Sequence, residues 1–156
     1  MQESTNETET VTYQVINEFA KTIEMFGLSP SKARLFVYLY LQEQPKTLDE
    51  MSEALGKSKT SMSTSVRSLS DAGLVTLVWR KGVRKDLYEA NSQLFKLFMS
   101  HYANQWINTT LHQREALEKI QQNLISCDTH APKLLDNLNE IIAFHNQIES
   151  SFHHLK

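Results

Sequence analysis

A cluster of hydroxyl and basic side chains in residues 57–89 is the part of the sequence best suited to contact a ligand. Apart from Met62 and Val66, every residue from Lys59 to Arg67 is serine, threonine, lysine or arginine, and the next carboxylate is Asp71. Short hydroxyls let a helix lie deep in the major groove and donate hydrogen bonds to phosphates or base edges. Residues 57–89 hold seven Lys/Arg and three Asp/Glu, whereas residues 1–29 hold one Lys and five Glu. Because the net charge is only −2, this segregation indicates a surface for nucleic acid.

Two short helices are predicted to position these side chains. Thr47 and Glu50 have the spacing of a capping box, and Ser58 is a suitable N-cap for the second helix. Gly56 supplies the turn between them, because glycine tolerates left-handed backbone angles. The helical period then assigns Met62, Val66 and Leu69 to the core, and Lys59, Thr60, Ser61, Ser63, Thr64 and Arg67 to the outer face.

A β-hairpin is predicted after the second helix, which ends at Gly73. Residues 74–79 and 84–90 are rich in β-branched and aromatic types, and Lys81-Gly82-Val83 separates them. The sequence therefore predicts a helix-turn-helix followed by a wing, which binds DNA. The alternative is a winged-helix module that binds another protein and never contacts DNA. The basic side chains expected on the wing are Arg80, Lys81, Arg84 and Lys85.

The remainder of the chain is predicted to be helical. Residues 1–10 are polar and acidic, which is typical of a disordered tail, and a helix is expected to begin at Val11. Ser29-Pro30 opens the next helix, and we assign Leu35–Leu41 to it instead of to a strand. The fold class is therefore mainly α with a small β-wing. We expect a tail at 1–10, a winged helix-turn-helix domain at 11–90 and a C-terminal helical dimerisation region at 91–156.

The C-terminal region has the pattern of two helices that need a partner. Asn91 or Ser92 is the expected cap of a long helix, and residues 127–132 are the expected break. The final helix carries a heptad pattern, which favours a homodimer over packing against the long helix of the same chain. The residues of this pattern are Leu134, Leu138, Ile141, His145, Ile148, Phe152 and Leu155.

Other kinds of site find little support in the sequence. The six histidines lack a compact spacing with cysteine or carboxylates, so we expect no metal and no cofactor. The single cysteine, Cys127, is interpreted as incidental and not as a redox sensor. No glycine-rich phosphate loop or nucleophile motif is present, so we expect no enzyme activity. The absence of a signal peptide and of a membrane-length apolar run predicts a cytoplasmic protein.

Three segments of the chain resemble the MarR superfamily of winged-helix regulators: 55–62 (LGKSKTSM), 69–75 (LSDAGLV) and 82–86 (GVRKD). The run 78–89 (VWRKGVRKDLYE) resembles the GbsR branch, which contains repressors of choline uptake and of glycine betaine synthesis. The likeness covers about residues 15–95, and the C-terminal helices only by architecture. It implies a dimer on a pseudo-palindromic operator in double-stranded DNA, with Arg84 in the minor groove and Asp86 orienting it.

The resemblance to the GbsR branch also implies a quaternary ammonium effector such as choline. Such a cation has no N–H to donate, so proteins hold it against aromatic faces. The alternatives are that these aromatic residues only fill the core, or that the effector is a phenolic or other aromatic compound. The candidate ligand-binding residues are Phe36, Tyr40, Trp79, Tyr88, Tyr102 and Trp106.

Overall fold

The computed structural model describes residues 2–127 and 130–155, and it confirms the predicted fold class. The described chain is mainly helical with one two-stranded antiparallel sheet. It forms two compact units, Met1–Phe98 and Met99–Lys156, so the boundary lies eight residues beyond the one expected after Ala90. Its elements are α1 Gln2–Glu24, α2 Pro30–Tyr40, α3 Leu48–Leu55, α4 Lys59–Asp71, β1 Val75–Val78, β2 Leu87–Ala90, α5 Leu94–Ser126 and α6 Pro132–His153.

Helix α2 is the centre of the first unit. Ser29 caps it by accepting a hydrogen bond from the Lys32 amide, and Pro30 occupies the first turn, where its missing N–H is tolerated. The five residues from Leu35 to Leu39 are all buried, which confirms that this apolar run is a helix enclosed on all sides. α1, α4 and β2 pack around it, and Phe98 closes the core by contacting Phe36 with ring centroids 4.9 Å apart.

Helix α1 begins at Gln2, so the prediction of a disordered tail followed by a helix from Val11 was wrong. The prediction rested on the polar, acidic composition of residues 1–10. In the structure the hydroxyls of Thr8, Thr10 and Thr12 donate to the carbonyl oxygen four residues earlier, at 2.8–2.9 Å. The Tyr13 hydroxyl also donates to the Ala54 carbonyl at 2.9 Å, which fastens α1 to α3. The bonds of Thr8 and Thr10 lie within the polar segment, and Tyr13 anchors the helix just beyond it.

The hairpin is confirmed, but its strands are shorter than expected. Val75 pairs with Ala90 and Val78 pairs with Leu87, so β1 and β2 have four residues each. The loop between them runs from 79 to 86, longer than the predicted turn. At the other edge of β2, the backbone of Tyr88 exchanges two hydrogen bonds of 2.9 Å with Lys46, which ties the wing to the start of α3.

The second unit is built from most of α5 and from α6. Helix α5 begins at Leu94, later than the expected caps Asn91 and Ser92, because the Asn91 side chain instead accepts from the Gln93 amide in a short turn. Cys127, at the expected break, is exposed, and residues 128 and 129 lie outside the described chain. None of the described helices combines the length and hydropathy that a membrane span requires.

Side chains of α5 and α6 contact one another in antiparallel order. Arg114 lies 3.4 Å from the Glu149 carboxylate, and Trp106 stacks on Phe152 with ring centroids 5.2 Å apart. Of the predicted heptad residues only Leu138 is buried, and Leu155 lies beyond the end of α6. Several apolar side chains of this unit therefore remain on its surface: Ile120, Ile125, Leu134, Ile141 and Phe144.

Candidate nucleic-acid interface

Helix α4 has a buried apolar face and an exposed polar face. Met62, Val66 and Leu69 are at most 1% exposed, which confirms the predicted inward positions. On the opposite face Ser61 and Ser63 are half-buried, and the other predicted residues are exposed. The Thr64 hydroxyl donates to the Thr60 carbonyl at 3.1 Å, so its oxygen remains available as an acceptor. The exposed residues of this face are Lys59, Thr60, Thr64 and Arg67.

Capping interactions at both ends hold α4 in place. Ser58 accepts a hydrogen bond from the Ser61 amide at 3.1 Å, as predicted for the N-cap. At the other end Gly73 adopts φ +76, and the amide of Leu74 donates to the Leu69 carbonyl at 2.9 Å. This is a Schellman motif, whose left-handed position favours glycine. Before α4, the predicted capping box of α3 is also present, and Gly56 has φ +63.

The loop at the tip of the wing is exposed throughout and carries the four predicted cations. Two of them are anchored at their side chains. The Arg80 guanidinium donates to Gln44 Oε1 at 2.9 Å, and the Lys85 ammonium donates to Asp49 Oδ2 at 2.7 Å. For Lys81 and Arg84 the structure shows no ion pair within the described chain. Asp86, which was expected to orient Arg84, forms no ion pair with it in the structure, and the carboxylate that anchors the wing is Asp49 of α3, through Lys85.

Asp49 links the helix that carries the hydroxyls to the wing. Its Oδ1 lies 3.2 Å from the Lys59 ammonium, and its Oδ2 accepts from Lys85. The hydrogen bonds from Lys85 and then Lys59 hold the pKa of the Asp49 carboxyl below its usual value, and the same contact raises the pKa of Lys85. The prediction from sequence missed Asp49. The sequence indicates that Asp49 lies in the first turn of α3, but it does not indicate that this residue is close to Lys85.

The base of the wing also adjoins the last turns of α4. Burial raises the pKa of Tyr88, the nearby Asp86 carboxylate adds to this, and the Arg67 guanidinium acts in the opposite direction. Arg67 is therefore close enough to the hairpin for its charge to act on Tyr88. The direct link between the basic residues of α4 and those of the wing is Asp49, which contacts both Lys59 and Lys85.

The candidate effector residues fall into separate clusters. Phe36 is fully buried and contacts Phe98 and Tyr40, so it belongs to the core of the first unit. Trp79 is 81% exposed, and Tyr88 is half-buried on β2.

In the second unit Tyr102 and Trp106 meet Phe152, a residue that was not predicted for this role. Trp106 keeps 41% of its surface exposed within this group of three rings. The helical spacing of Tyr102 and Trp106 was visible in the sequence, but the contact with a residue almost fifty positions later was not. No group of three metal-binding side chains occurs in the described part of the chain.

Known proteins with similar sequences and structures are transcriptional regulators. A family model described as sugar-specific transcriptional regulator TrmB matches residues 23–92. The HTH-type transcriptional repressor OpcR of Bacillus subtilis (strain 168) is 30% identical over 143 residues, which span 90% of this chain and 76% of OpcR. The HTH-type transcriptional repressor GbsR of the same organism is 32% identical over 139 residues, which span 88% and 76%.

One solved structure supports the fold. A crystal structure of a transcriptional regulator superimposes with a TM-score of 0.63 at 16% identity, over 92% of this chain and 96% of that chain. At this identity the likeness concerns the architecture and not the ligand or the DNA sequence.

Proposed function

Because the chain belongs to the family of HTH-type transcriptional regulators that includes OpcR and GbsR, we propose that it is a homodimeric repressor. Proteins of this family regulate transcription and are not enzymes, so the chain is a DNA-binding regulator. We assign it to the GbsR-like branch of the MarR superfamily. In this proposal it controls choline uptake or glycine betaine synthesis in response to choline.

The observation that supports DNA reading most strongly is the composition of the exposed face of α4. Short hydroxyls and Arg67 occupy that face, and Lys59 stands at its start. A helix with such a face fits the major groove, where arginine can read guanine and hydroxyls can contact phosphates. The wing then extends the contact to the neighbouring groove through Arg84, with Lys81 and Lys85 near phosphates.

The surface of the second unit supports a homodimer. Leu134 and Ile141 stand seven residues apart on α6 and are 51% and 42% exposed. Contiguous apolar surface of this kind is usually covered by a partner. A twofold dimer would present two copies of α4 to successive major grooves, about 34–36 Å apart, on a pseudo-palindromic site.

The effector part of the proposal rests on the three rings of the second unit. Tyr102 and Trp106 belong to the predicted set, and Phe152 completes the group. The exposed part of Trp106 offers an aromatic surface to a quaternary ammonium ion, which is attracted by the negative face of the ring. The sugar specificity in the description of the matching family model concerns residues 23–92, which do not include these rings.

A DNA-release assay tests the proposed function. Fluorescence anisotropy would follow a labelled duplex, selected from a random pool by the wild-type protein, while choline, glycine betaine or salicylate is added. Choline should release the DNA, and Trp106→Ala should weaken that response because one cation–π contact contributes roughly 0.5–2 kcal/mol.

The control for the release assay is Phe95→Ala, which removes an exposed aromatic ring that belongs neither to the wing nor to the three-ring group. If salicylate and not choline released the DNA, the protein would be a sensor of phenolic compounds. If no duplex bound with a steep dependence on salt, the winged helix would be a protein-interaction module.

A further inference from the structure

A cleft of about 560 Å³ lies within the first unit, between α1 and the facing parts of α2 and α3. It lies apart from the polar face of α4. Three carboxylates line it, from Glu9, Glu50 and Glu53, whereas Lys46 is the one cation among the described residues that do so. The lining therefore carries a net negative charge, in a chain whose positive charge is concentrated on α4 and the wing.

One of the polar groups that line this cleft has no hydrogen-bond partner among the described residues. Tyr38 is only 9% exposed, and its hydroxyl makes no hydrogen bond to any residue that the structure describes. Burial, followed by the charge of Glu50, raises the pKa of this phenol, so the hydroxyl stays protonated. The Tyr38 oxygen is not enclosed by protein atoms, so a molecule in the cleft can reach it.

The other groups around the cleft mostly offer acceptors. The Tyr13 hydroxyl already donates to the Ala54 carbonyl, and the hydroxyls of Thr8 and Thr12 donate along α1. Their protons are therefore committed, while their oxygen lone pairs remain. Glu50 uses Oε2 to accept from the Thr47 amide at 2.7 Å, which leaves its second oxygen available among the described contacts.

We propose that this cleft binds an aliphatic polyamine, whose protonated nitrogens supply N–H donors to the acceptors and balance the net negative charge of the lining. Carboxylates and hydroxyl oxygens accept from ammonium groups in short, charge-assisted hydrogen bonds. A quaternary ammonium ion has no N–H and leaves these acceptors unsatisfied, so this site is distinct in chemistry from the proposed choline site. It does not depend on the proposed function, because no DNA contact takes part in it.

Isothermal titration calorimetry with spermidine, at about physiological ionic strength, tests the proposal on the full chain. Spermidine should bind saturably, and tetramethylammonium should bind at least tenfold more weakly because it lacks N–H donors. Glu53→Gln and Tyr38→Phe should each weaken spermidine binding about tenfold, since each removes a hydrogen-bonding group from the cleft. Tyr38→Phe keeps the ring in the core, and its thermal unfolding would be compared with that of the wild type.

Glu115→Gln is the matched control, because it neutralises an exposed carboxylate on α5 and should leave spermidine binding unchanged. Equal weakening by Glu115→Gln would show attraction to overall charge and overturn the site. The proposal is also wrong if spermidine does not bind saturably, if tetramethylammonium binds as tightly, or if both cleft variants retain wild-type affinity.

Discussion

Asp49 occupies an unusual position for a carboxylate, because it lies between two lysines that are expected to contact phosphates. Its distances of 3.2 Å to Lys59 and 2.7 Å to Lys85 place it within the basic surface. All three side chains are about half exposed or more, so each ion pair contributes little to the stability of the fold. The more important consequence concerns DNA, since a phosphate must compete with Asp49 for the same ammonium groups.

Replacing Asp49 with Asn should therefore raise affinity for duplex DNA. The amide keeps the shape of the side chain and removes the competing charge, so we expect binding to tighten roughly two- to tenfold at low salt. Fluorescence anisotropy with selected and scrambled duplexes would measure the change. Asp136→Asn, an exposed position on α6, is the control and should have no effect. A loss of affinity would show that Asp49 holds the wing in its DNA-binding position.

The helix-turn-helix was predictable at the level of single elements because its signals are local. The capping hydrogen bonds of Thr47, Glu50 and Ser58 each join residues three positions apart. Gly56 and Gly73 adopt left-handed backbone angles because each forms the turn that ends a helix. The start of α1 was not predictable in this way. Its first turns carry hydrogen bonds from threonine hydroxyls to carbonyls four residues earlier, and farther along the helix Tyr13 contacts Ala54 across forty-one positions.

For the wing, too, the sequence predicted the features that depend on neighbouring residues but not the contacts with residues far away in the chain. Its β-rich runs and basic tip were visible in the sequence, and the hairpin formed as predicted. Its attachments were not visible, because Arg80 reaches Gln44 and Lys85 reaches Asp49, each across thirty-six positions. These contacts leave Lys81 and Arg84 as the cations of the wing whose side chains neither a hydrogen bond nor an ion pair restrains within the described chain.

Variants of these two residues should weaken DNA binding in different ways. Lys81→Ala should reduce the slope of log affinity against log salt by about one unit per bound wing, because one phosphate contact is lost. Arg84→Ala should lower affinity most for sites with a narrow, A·T-rich minor groove, which attracts arginine. Titrations at several salt concentrations would measure both effects. Lys119→Ala on α5 is the control, and unchanged binding by Arg84→Ala would remove the wing from the minor groove.

At the scale of the whole molecule, the main open question is why the second unit exposes so much apolar surface, because contacts within one chain do not cover it. α5 and α6 contact each other through Arg114, Glu149, Trp106 and Phe152, yet several large apolar side chains stay exposed. The heptad pattern indicated this surface in advance. The sequence did not show which heptad residues the chain covers by itself, and in the structure Leu138 is the one that becomes buried.

Charged substitutions on this surface should separate the proposed dimer. Leu134→Asp with Ile141→Asp places two carboxylates where apolar contact is expected, and both positions are exposed enough for the single chain to keep its fold. Light scattering at micromolar concentration should show a dimer for the wild type and a monomer for the double variant. The double variant should also bind DNA more weakly than the wild type, because a monomer cannot bind two half-sites together.

Asn146→Asp adds a charge to α6 outside the heptad pattern and should leave the dimer intact. A wild-type protein that remained monomeric in light scattering would contradict the homodimer. A double variant that stayed dimeric would place the interface on another surface of the chain.

The most direct measurement for this account is the sequence selectivity of Arg67→Ala, because the central claim is that α4 reads bases in the major groove. Affinities of wild type and variant would be compared on a selected duplex and on versions with each base pair changed. We expect a loss of about 1–3 kcal/mol and relaxed selectivity at one base pair in each half-site. An equal loss on every duplex would make Arg67 a phosphate contact, and unchanged affinity would contradict the reading role of α4.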